Sequence, residues 1–90
     1  MPRYLIERTM PGVGKMSREE LKAIAQKSTG VLRSLGPQIQ WQHSYVAGDT
    51  VFSIYIAPNE AMIRDHAKRG EFPCNRVLKI DTMIDPTTGE

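Results

Sequence analysis

A chain of 90 residues with 40% hydrophobic and 24% charged side chains has the composition of one ordinary globular domain, residues 1–90, burying about 60–65% of the surface its unfolded form exposes. No apolar run approaches the roughly 20 residues that cross a bilayer, and the N-terminus lacks the apolar core of a secretory signal, so no membrane partner and a cytoplasmic location are expected. The net charge of +2 comes from basic residues scattered from Arg3 to Lys79, which speaks against nucleic acid, and Cys74 stands alone, which excludes an intrachain disulfide and a cysteine zinc motif.

The first pattern is RYLIER, residues 3–8, with Tyr4 and Ile6 on one side and Leu5 and Glu7 on the other, a strand. TMPGVGKM follows as loop, its Gly12-Val13-Gly14 too short for a phosphate-binding fingerprint. Ser17 with Glu20 three residues later forms a capping box, each side chain satisfying an amide that the first helical turn leaves unpaired. The helix it opens carries Leu21, Ile24, Leu32 and Leu35 on an apolar stripe and stops at Gly36-Pro37.

IQWQHSYV, 39–46, and VFSIYIA, 51–57, read as the second and third strands, joined by a tight turn at Gly48-Asp49. A two-residue turn sets Val46 opposite Val51, Tyr45 opposite Phe52 and His43 opposite Ile54, and the expected placing puts Trp41, His43 and Tyr45 on the helix side. A three-residue loop would slip the register and turn the same set to the open face. After Pro58, NEAMIRDHAKR makes a second helix ending at Gly70, with RDHAKR as its wet face. RVLKIDTMI, 76–84, alternates Leu78, Ile80, Thr82 and Ile84 as a fourth strand.

The order βαββαβ predicts an α+β, ferredoxin-like fold: a four-stranded antiparallel sheet, order 4-1-3-2, with two helices on one face. Leu5, Val46, Val51 and Tyr55 are expected to make the open face apolar, and a second copy is the usual cover for so small a domain. Strand 1, the hairpin and helix 2 end at one edge, so Glu7, His43, Asp49 and His66 are expected along one rim. Imidazole with oxygen donors there suits nickel, zinc or copper, although neither H-x-H nor H-x-x-x-H is present. Trp41, Tyr45 and Tyr55 are candidates for lining a small-molecule pocket or for core packing.

MPRYLIER, SREELKAIAQKSTGVLRSLGPQIQW, YIAPNE, RDHAKRGEFP and IDPTTGE together resemble a family of small bacterial proteins of ferredoxin-like fold, a domain of unknown function with a nickel-binding member. The resemblance implies a homodimer that binds nickel, with no established reaction. Glu7 matches the family's strand-1 ER, Trp41, Ser44 and Tyr45 match its W-x-x-S-Y, and His66 matches its helix-2 H-A. Ser53 stands where cysteine is common, and His43 where relatives carry an acid or another residue. His43, His66 and Glu7 are thus the candidate metal ligands, and no catalytic residue is assigned. The competing readings are a tautomerase using a freed Pro2 amine and a monooxygenase-like dimer enclosing a ligand between two open faces.

Overall fold

A computed structural model describes residues 1–90. Its elements run β1 (Arg3–Thr9), α1 (Arg18–Leu35), β2 (Gln40–Ala47), β3 (Thr50–Ile56), α2 (Glu60–Gly70) and β4 (Arg76–Ile80), with short 3-10 turns at Val13–Lys15 and Pro86–Gly89. The strands form one antiparallel sheet in the order β2-β3-β1-β4, the predicted ferredoxin-like arrangement.

The local signals act as their chemistry requires. At the start of α1 the Glu20 amide donates to Ser17 Oγ at 3.1 Å and the Ser17 amide to Glu20 Oε1 at 3.0 Å, closing the capping box. Asn59 caps α2 by accepting from the Met62 amide at 2.9 Å. Gly48 turns the hairpin at φ 61, a left-handed conformation that costs glycine little. Gly14 lies against that turn, its amide donating to Gly48 O at 2.8 Å, and a Cβ there would sit 2.6 Å from the same oxygen.

The core lies between helices and sheet, where Tyr4, Ile6, Ile39, Tyr55, Ala57, Ile63 and Val77 pack as one cluster. Ile6 and Ile63 are wholly buried. β4 ends at Ile80, so Thr82 and Ile84 extend no strand, and Ile84 is 77% exposed.

Two expectations about faces are overturned. The hairpin pairs Val46 with Val51, Tyr45 with Phe52 and His43 with Ile54 as expected, but a register shift between Trp41 and His43 inserts Gln42 as an extra residue. A bulge reverses the side-chain alternation across it. Trp41 therefore shares the helix side with Tyr55 and Tyr4, while His43 and Tyr45 share the open face with Ile54 and Phe52. Tyr55, Val46 and Val51, expected on the open face, lie on the helix side, Tyr55 only 2% exposed.

Candidate functional site

The pairing register divides the candidate residues between the two faces. Across the open face run two rows, His43–Ile54–Leu5–Leu78 and Tyr45–Phe52–Glu7–Arg76. His43 is exposed, Glu7 half-buried, and the neighbouring Tyr45 and Leu78 are 62% and 42% exposed. His43 and Tyr45 meet edge to face with ring centroids 5.1 Å apart. Glu7 forms no ion pair, although Arg76 is its partner across β4. Strand β3 separates Glu7 from His43, and with two strand spacings across the sheet and two residues along it their backbones are about 12 Å apart.

His66 lies on the other side of the sheet, fully buried rather than on a wet helix face. Its helix neighbours behave as expected, with Arg64 paired to Glu60 at 2.8 Å and Arg69 to Asp65 at 3.2 Å, both one turn apart. Asp49 accepts from the Gly12 amide at 2.9 Å. The expected rim of four donors is thus dispersed, and nowhere within one chain do three or more His, Cys, Asp or Glu residues converge on a metal position.

On the helix side the arrangement is a polar seam under an apolar cavity. His66 Nε2 is 3.3 Å from Ser28 Oγ, which is 3.5 Å from the Tyr55 hydroxyl, and His66 Nδ1 is buried without a partner. Beside it, Trp41 Nε1 donates to Ser44 Oγ at 2.9 Å, and Ser44 Oγ meets Ser53 Oγ at 2.7 Å. Ser53, itself buried, thereby finds a hydrogen-bond partner for its hydroxyl in Ser44. Arg8 completes the seam at 4% exposure, Nη1 donating to Pro73 O at 2.6 Å and the guanidinium 5.6 Å from the Phe72 ring centroid. Trp41 and Tyr55 line the cavity of about 210 Å³ above this seam, and Tyr45 does not.

Sequence reasoning passed over Arg8. Its signal is the alternation Tyr4, Ile6, Arg8, which assigns the arginine to the same side as two core residues.

Burial pushes the His66 imidazole below its ordinary value of 6.5, the Arg8 guanidinium pushes the same way, and hydrogen bonding to Ser28 opposes both. An unfolded chain gains a proton near 6.5 while folded His66 stays neutral, so this share of stability is present above 6.5 and is lost as the pH falls below it. Urea denaturation at pH 7.5 and 5.5 should show the wild type weakening and His66→Gln losing less over that interval. Equal slopes in both proteins would remove His66 as the cause.

A family profile described as nickel responsive protein SCO4226-like matches residues 4–80. Among solved structures the chain is similar to the crystal structure of SCO4226 from Streptomyces coelicolor A3(2), with a TM-score of 0.76 at 10% sequence identity, covering 91% of this chain and 99% of that one. At that identity the likeness is one of fold. No curated protein matches the chain.

Proposed function

The chain belongs to the SCO4226-like family of nickel responsive proteins, and on that premise we propose that it is a homodimeric nickel-binding protein whose metal is held between two copies at the open face of the sheet. The observation that carries this reading is that His43 and Glu7 stand on the same open face, among half-buried Leu5, Phe52 and Ile54. One chain offers only two separated donors there, too few for a transition-metal site. A two-fold pair doubles them within a single layer, since an isologous interface presents the same patch twice.

Neutral imidazole and ionised carboxylate suit nickel, and zinc or copper would accept the same donors. His66 contributes nothing to that layer, being buried across the sheet beside the Arg8 guanidinium, which repels a cation. No catalytic step is assigned to the protein. No helix is long and apolar enough to cross a membrane, and the free Cys74 thiol is compatible with a reducing cytoplasm, where we place it.

Calorimetric titration with nickel tests the reading. His43→Ala and Glu7→Gln should each weaken binding about tenfold or more, whereas His66→Gln should leave the affinity unchanged. No nickel-specific heat in the wild type, or a loss confined to the His66 variant, would overturn it.

A further inference from the structure

We infer that the helix-side cavity is a binding site for a small organic carboxylate with an apolar body, and that Arg8 is the residue that recognises its charge. The cavity of about 210 Å³ is walled by apolar side chains including Val13, Leu21, Ile24 and Trp41, and Arg8 is the one charged residue in the wall. Neither Asp nor Glu faces it.

A cation removed from water calls for an anion or a full set of acceptors. Arg8 has neither. It is 4% exposed, only Nη1 has a protein acceptor, Nη2 is buried with no partner, and no carboxylate pairs with the side chain. A guanidinium fork matches the two oxygens of a carboxylate; Nη2 has no free surface in this conformation, so such a group would be met by a small swing of Arg8 that brings the unmatched half of its fork into the cavity the residue lines. The Ser28 and Tyr55 hydroxyls, 3.5 Å apart on the cavity wall, offer further polar contacts.

Size and polarity narrow the ligand. A dry cavity of about 150 Å³ holds benzene, so this one accommodates a six-membered ring bearing a carboxylate. Inorganic anions would gain nothing from the apolar wall, and metal cations would meet Arg8. The site is independent of the open face, because the sheet separates Arg8, Tyr55 and Trp41 from His43 and Glu7.

Trp41 is the only tryptophan and lines the cavity, so its emission reports occupancy. The probes are cyclohexanecarboxylate and its neutral isostere cyclohexanecarboxamide, titrated at pH 7.5. The carboxylate should change Trp41 fluorescence saturably and bind at least about tenfold tighter than the amide. Arg8→Met should abolish that preference. Val46→Phe, at a cavity-wall position 43% exposed and so of little consequence for folding, should weaken both probes. Equal affinities for acid and amide, no saturation by either at about 10 mM, or a preference that survives Arg8→Met would overturn the inference. Should Arg8→Met fail to fold, the wild-type ratio and the Val46→Phe response decide it.

Discussion

Ile54→Asp should leave the chain monomeric and unable to bind nickel while its secondary structure persists. Ile54 is at the centre of the open face, on β3 between Leu5 of β1 and His43 of β2. In a lone chain that position is half-buried, so an aspartate there retains much of its hydration and costs on the order of 1 kcal/mol through strand preference. Between two copies it would replace two isoleucines of the contact by two further carboxylates in a layer that already holds both copies of Glu7, so lost apolar burial and like-charge repulsion together cost several kcal/mol, which a small interface does not offset. Light scattering after gel filtration should give one chain of 10.1 kDa for the variant and two for the wild type, with similar far-ultraviolet spectra. A variant that remains dimeric would show that the copies meet elsewhere.

Ile63→Ala should be the most destabilising single truncation in α2, at about 2–5 kcal/mol. Ile63 is wholly buried, joined in one cluster with Tyr4, Ile6, Tyr55 and Val77 on the sheet. Shortening it removes apolar burial and leaves a cavity that the strands cannot close, since their positions are fixed by the ladder. For a domain of this size the whole stability is about 4–13 kcal/mol, so the loss is a large part of it. Urea unfolding at fixed protein concentration should show a lower midpoint with an unchanged slope. A loss under about 1 kcal/mol would mean that α2 is held by contacts other than Ile63.

The fold was legible because its punctuation is local. Ser17 with Glu20 and Gly48-Asp49 each act within a few residues, and the hairpin pairs follow from the turn alone, whereas the cap of α2 proved to be Asn59, one residue past the proline that marks its start. The faces were not legible, for a physical reason. Phe52, Ile54 and Ile56 are apolar on one side of β3, and Val51, Tyr55 and Ala57 are apolar on the other, so alternation does not tell which side the helices cover. The extra Gln42 then turns His43 away from Trp41 without any glycine or proline to mark it. Those two effects decide the candidate site, since they send His43 to the face of Glu7 and leave His66 on the opposite side.

The hidden character of His66 has a different origin, in helical period. Its neighbours Asp65, Lys68 and Arg69 make the segment look solvated, yet an 11-residue helix laid on a sheet must turn one residue in three or four inward. Ile63, His66, Ala67 and Gly70 form that stripe, so the histidine is placed by helical period among charged residues.

Native mass spectrometry of the chain titrated with nickel tests the shared-metal proposal most directly, because it counts chains and ions in one measurement. Ions of two chains should carry the metal and ions of one chain should carry none, with His43→Ala losing nickel from the pair. Nickel bound equally to single-chain ions, or two-chain ions that stay metal-free at saturating nickel, would contradict a metal held between two sheets.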